Sequence, residues 1–179
     1  MGQSATLYPI DKSGFSKIID NPKNFGLFKI SKRSEIFDKS FDGLQFVLSK
    51  GLDKKNKELI EQIFYPKIFV GEQLDFSKID FENVPDDFDF EDHTISYNDP
   101  DKVLEIYQLL ATITLNRFQS NFDHNELNKH EIYPGDVWND KKEEKVAFNI
   151  RHMTIEFESL KSIFKTAKEN DEYLLSYVG

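Results

Sequence analysis

Between Val146 and Ala167 the apolar residues Val146, Ile150, Met153, Phe157, Leu160, Phe164 and Ala167 recur at alternating spacings of four and three. That period predicts one apolar face of a long helix, and it is the most regular pattern in the chain. Just before it, HEIYPGDVW (His130 to Trp138) holds the only Trp and a Tyr-Pro-Gly turn. Just after it, YLLSYV reads as a strand. A second strong helical pattern places Val103, Ile106, Tyr107, Leu110 and Ile113 on one face, with Asn98 or Asp99 as cap and Pro100 in the first turn.

The remaining pattern is shorter in its periods. ATLYPI predicts an opening strand, and DKSGFSKIID a helix capped by Asp11 or Ser13 and ended by Asn21-Pro22. From Ser34, the residues Ile36, Phe37, Phe41, Leu44, Val47 and Leu48 keep helical spacing up to Gly51, a C-terminal stop. NKELIEQIF predicts a third helix, closed by Tyr65-Pro66, followed by short strands at KIFVG and HTISYN. Thr114 and Asp123 cap two short helices, TLNRFQSN and DHNELNK, and Asn139 to Lys145 is a charged loop. Strands at both ends around a mostly helical middle predict an α+β fold. We expect a small mixed sheet with the first and last strands as neighbours, packed against several helices including the long C-terminal one.

Composition narrows the class. A chain of 179 residues buries roughly 70% of its unfolded surface, so we expect one domain spanning 1–179 without disulfide staples. The 17 Phe residues supply an ample core, and the absence of Cys removes thiol nucleophiles and cysteine-based metal sites. No apolar run is long enough to span a bilayer, and the start lacks a basic segment leading into an apolar one. A cytoplasmic setting with no membrane contact follows as the expectation. MGQSAT fits the loose pattern for N-myristoylation, but a strand at Ala5 to Ile10 needs its terminus in the fold.

Charge is unevenly distributed. Residues 1–67 carry 12 Lys/Arg against 8 Asp/Glu, residues 68–130 carry 4 against 14, and the whole chain has a net charge of −9. A net acidic surface repels phosphates, so nucleic acid is not an expected partner. The excess concentrates in DFSKIDFENVPDDFDFED, Asp75 to Asp92, where four Phe interleave with eight carboxylates. Interleaving of this kind combines electrostatic steering with apolar anchors. Asp86, Asp87, Phe88, Asp89 and Phe90 are therefore candidates for docking a basic protein partner, with a solvated loop as the plainer reading.

Three segments in order resemble the YfbM-like family of small bacterial proteins, a domain of unknown function. They are MGQSATLYPI, DKSFDGLQFVLSKG (Asp38 to Gly51), and EIYPGDVW through the long helix to YLLSYVG. The resemblance covers nearly the whole length apart from the acidic middle. It implies a mixed α/β fold, a bacterial source and a cytoplasmic setting, and it brings no established activity. Two positions depart from the family pattern, where Trp is frequent at Phe41 and His at Gln45. Gln does not shuttle protons near neutral pH, so a general base at that position would be lost here.

Catalytic signatures are missing. The Gly residues are never closer than eight apart, which excludes dinucleotide and phosphate-binding glycine loops, and no Gly-x-Ser-x-Gly elbow occurs. No cofactor is implied. His124 and His130, with Glu126 and Glu131 nearby, lack the spacing of a zinc motif and read as solvated or capping residues. Tyr133 and Trp138 suit either a pocket wall or a staple between turn and helix, and the staple is favoured because the Pro-Gly turn needs fixing. His152 lies one position off the helix seam. The leading expectation is a non-catalytic binding protein, toxin-neutralising or regulatory in kind. The alternative is a small enzyme with a cleft near Gln45, Tyr133 and His152, with Glu131 contributing. Convergence of those groups in one concavity discriminates the two.

Overall fold

The computed structural model describes residues 2–21, 31–72, 83–84 and 93–179. The acidic candidates Asp86, Asp87, Phe88, Asp89 and Phe90 lie outside the described residues. The elements in chain order are β1 (Ser4–Ile10), α1 (Lys12–Asp20), β2 (Glu35–Asp38), α2 (Phe41–Ser49), α3 (Lys54–Glu61) and β3 (Ile68–Glu72). There follow β4 (His93–Asn98), α4 (Pro100–Thr112), α5 (Leu115–Asn121), α6 (His124–Lys129), α7 (Ile150–Glu169) and β5 (Tyr173–Val178). The architecture is α+β.

Five strands form one sheet in the order β2-β1-β5-β4-β3, antiparallel at every pairing. The strands nearest the two chain ends are neighbours at its centre, with Thr6 opposite Tyr177 and Tyr8 opposite Leu175. Ser4 and Gly179 close the pair by exchanging backbone hydrogen bonds of 2.8 and 3.0 Å. Strand alternation divides the core in two. Ala5, Leu7, Phe37 and Leu174 face the main core with the helices, whereas Tyr8, Ile10 and Leu175 face α1 through Phe15 and Ile18.

The long helix is the spine of the main core. Met153, Phe157, Leu160, Phe164 and Ala167 are buried along one side of α7, and Phe157 stacks on Phe118 with ring centroids 4.4 Å apart. Its start differs from the period, which began at Val146. Asn149 caps it instead by accepting the His152 N–H, while its amide nitrogen donates to the Val146 carbonyl at 2.8 Å. Those bonds hold residues 146–149 outside the helix.

The helix predicted from Ser34 is a correction. Glu35–Asp38 is an edge strand paired with β1, and the helix begins only at Phe41. Phe37 is buried while Ile36 and Asp38 are exposed, a two-residue alternation that helical spacing at longer range masks. Lys39, at φ 59°, turns the chain between strand and helix.

Candidate functional site

The helix α2 has two faces with different tasks. Phe41, Leu44, Val47 and Leu48 are buried in the core, and Asp42, Gln45, Phe46 and Ser49 follow the i, i+3, i+4, i+7 spacing on the other side. That second face forms one wall of a cleft of about 740 Å³. Residues 126–133 form the opposite wall, through Glu126, His130, Glu131, Ile132 and Tyr133, and Lys57 of α3 lies at its edge.

The opposite wall is held rigidly. The C-terminus of α6 ends with Ile132 N–H bound to Leu127 O and Glu131 N–H to Asn128 O, both at 3.0 Å. This is the paired-bond ending that usually places glycine in the left-handed position. Here Glu131 occupies it, at φ 52°. Trp138 then fixes the Tyr-Pro-Gly turn, which contains a cis Tyr133–Pro134 bond. Its indole N–H donates to Ile132 O at 2.9 Å, and its backbone exchanges hydrogen bonds with the Asn128 amide. The same ring lies on α2, where a Cβ added to Gly43 would sit 2.1 Å from Trp138 Cη2. Gly43 is the residue that lets turn and helix approach.

The polar groups of the cleft are distinct in state. The Gln45 side-chain oxygen is buried and has no hydrogen-bond partner among the described residues. Asp42 is half-buried, and burial pushes its carboxyl above the ordinary range against the opposing hydrogen bond from Tyr65. Burial also raises the Tyr65 hydroxyl, with the Asp42 charge adding to it. The Tyr133 hydroxyl accepts the Gln3 N–H at 2.6 Å, and its ring lies 5.9 Å from Phe41. At the far end the Lys50 ammonium donates to Glu126 and to Asn121 O, and stands 5.2 Å from the Phe46 ring centroid.

The sequence-derived candidates divide accordingly. Gln45, Tyr133 and Glu131 meet in the cleft. Trp138, 3% exposed, belongs to the core as a staple. His152 does not line the cleft. Its Nδ1 accepts the Phe148 N–H at 3.2 Å, so Nε2 carries the hydrogen toward Glu156 Oε1 at 3.3 Å, and Ser40 donates to the other oxygen of Glu156 at 3.0 Å. Those bonds tie the loop before α7 to the start of α2. Asp42, Phe46 and Lys50 were not singled out from the sequence, although reading the face of α2 opposite Leu44 and Val47 marks all but Lys50. Among the described residues no three of His, Asp and Glu are grouped to hold a metal ion, His124 and His130 included.

Comparison with known proteins agrees with this architecture. The crystal structure of a protein of unknown function, YfbM from Escherichia coli, matches with a TM-score of 0.63 at 17% sequence identity. The match covers 98% of this chain and 99% of that one. No curated protein matches the chain. Among the described residues no helix is long and apolar enough to cross a membrane. Residues 1–177 match the family model described as a domain of unknown function (DUF1877), and the chain belongs to that family of uncharacterised, YfbM-like proteins.

Proposed function

We propose that the protein is a non-catalytic binding protein that takes a small polar molecule in the cleft between α2 and residues 126–133. The observation that carries this reading is the cleft itself, about 740 Å³, with Asp42 and Gln45 on one wall and Glu131 and Tyr133 on the other. Beside it the Gln45 side-chain oxygen is a buried acceptor without a partner among the described residues, which costs about 1–3 kcal/mol. His152, the acid–base candidate read from the sequence, is engaged by Phe148 and Glu156 outside the cleft.

Gln45→Leu tests the reading with two opposed readouts. In the absence of ligand, the variant melts at a higher temperature than the parent, because the unpaired acceptor is gone. In an NMR screen of small polar compounds, ligands that shift cleft amides in the parent bind the variant more weakly. A variant that is less stable and binds those ligands as well as the parent would sink the assignment.

A second reading is favoured by the edge of the sheet. β3 is an outer strand with Ile68 42% and Phe69 46% exposed, and in the sequence it is followed by the acidic, Phe-rich stretch. An exposed apolar edge strand followed in the sequence by dense carboxylates suits docking of a basic protein. Affinity capture with the parent and with Asp86/Asp87/Asp89→Asn decides it. A stoichiometric basic partner retained only by the parent supports docking, and identical captures from both baits refute it.

A further inference from the structure

The start of α7 holds a reciprocal lock. Asn149 accepts the His152 backbone N–H at 2.9 Å, and the His152 ring returns the bond one residue further out, its Nδ1 accepting the Phe148 N–H at 3.2 Å. Side chain and backbone satisfy each other across the helix end, in the manner of a capping box. Phe148 needs that hold. It sits at φ 59°, in the left-handed region that a bulky residue keeps only when its surroundings fix it. Its carbonyl accepts the Asn139 N–H at 3.0 Å, and the Asn139 amide donates to the Ala147 carbonyl at the same distance, so residues 147 and 148 close the base of the loop 139–148.

The lock depends on a lone pair that a proton removes. A backbone amide only donates, so Nδ1 is bare in this arrangement and the imidazole is neutral. Once protonated, both ring nitrogens are donors, and two N–H groups oppose each other at the Phe148 contact. The new charge also stands in the first turn of α7, at the positive end of the helix dipole. Against these costs stands Glu156, whose Oε1 lies 3.3 Å from Nε2 and whose other oxygen accepts from Ser40. Its carboxylate stabilises the imidazolium, so the ring can charge while the Phe148 bond is lost. Among the described residues Glu156 is the one carboxylate within ion-pair distance of His152. The neighbouring charges are committed elsewhere: the Arg151 guanidinium donates to the Glu144 carbonyl, residues 140–145 of the loop are exposed, and Asp42 of α2 is hydrogen-bonded to Tyr65. From α5 the neutral Gln119 bonds Thr154. We propose that His152 is a pH-operated latch, whose neutral ring holds the base of the loop 139–148 shut and whose protonation frees Phe148 and opens it. The latch stands whether or not the cleft takes a ligand.

The experiment is an NMR titration of the isotope-labelled full chain from about pH 8 to about pH 5, the span in which histidine changes charge. It follows the His152 ring signals together with amide exchange, corrected for its intrinsic pH dependence. As His152 takes up its proton, the Phe148 amide should lose at least about tenfold in protection, while Thr6 in the central strand pair, the control for global unfolding, keeps its own. Trp138, the only Trp in the chain, meets the Phe148 ring edge-on at 5.5 Å, so its fluorescence should change over the same pH range. His152→Asn keeps an acceptor oxygen for the Phe148 N–H and has no proton to gain, so its Phe148 protection and Trp138 emission should be flat across the range. Glu156→Gln removes the attraction for the imidazolium and should move the release to lower pH; this second variant decides the matter should His152→Asn fail to fold. An imidazole that stays neutral down to about pH 5 overturns the latch. So does a His152 that charges while the Phe148 amide stays protected, a pH response retained in His152→Asn, or a midpoint that ignores Glu156→Gln.

Discussion

Asp42 stands in the first turn of α2, where a helix favours negative charge, yet its burial dominates and raises the carboxyl above its ordinary value of 3.8. The folded protein therefore takes up this proton at a higher pH than the unfolded chain. By linkage, stability falls as pH rises through the folded value and is gained as pH falls back toward the unfolded one. Asp42→Asn removes the titration. The variant should be more stable than the parent at neutral pH, with the difference in melting temperature shrinking as the pH is lowered toward about 4. A variant whose melts keep a constant offset from the parent across that range would show that Asp42 is not the group responsible. Legibility at this scale depended on how local the reason was. Gln45 stood out as a departure from the family pattern and Tyr133 by residue type, and both line the cleft. Asp42 did not, because its state depends on burial and on Tyr65, which lies on the far side of α3 in the sequence. Trp138 was legible as a staple, since a Pro-Gly turn beside a large aromatic already implies one.

Elements were legible wherever their determinants lie within a few residues. Asp11, Asp99, Thr114 and Asp123 each cap the helix that follows by accepting a backbone N–H two or three residues on, a bond that the sequence alone specifies. The failures are cases of a distant partner. Ile36 and Phe37 continue the spacing of α2, but β1 offers them a ladder, from Ser4 opposite Asp38 to Leu7 opposite Glu35, and tertiary pairing overrides a short helical period. The approach of α2 to the turn before α7 was equally hidden. Gly43 reads in sequence as a weak point in a helix, and only the Trp138 ring at its Cα explains why a glycine stands there.

At the scale of the molecule, the sheet joins the two ends of the chain at its centre, so the central pair cannot form until the whole sequence between them is present. β1 is bonded to β2 and β5, and β5 to β1 and β4. Removing Tyr173–Gly179 would leave β1 and β4 with unpaired edges and strip Leu174 and Leu175, both fully buried, from the two cores. The truncated chain should therefore lose its cooperative thermal transition altogether, not merely melt a few degrees lower. In the intact chain the same topology ranks amide exchange. Thr6, Tyr8, Leu175 and Tyr177, in the central pair, should be protected to the free energy of global unfolding, whereas the outer strands β2 and β3 open in smaller, cheaper fluctuations. Hydrogen exchange followed by NMR gives both strands of each pair in one experiment. Equal protection across all five strands would mean that the sheet opens only as a whole. Slower exchange at β2 or β3 than at β5 would overturn the view that the chain ends form its most stable part.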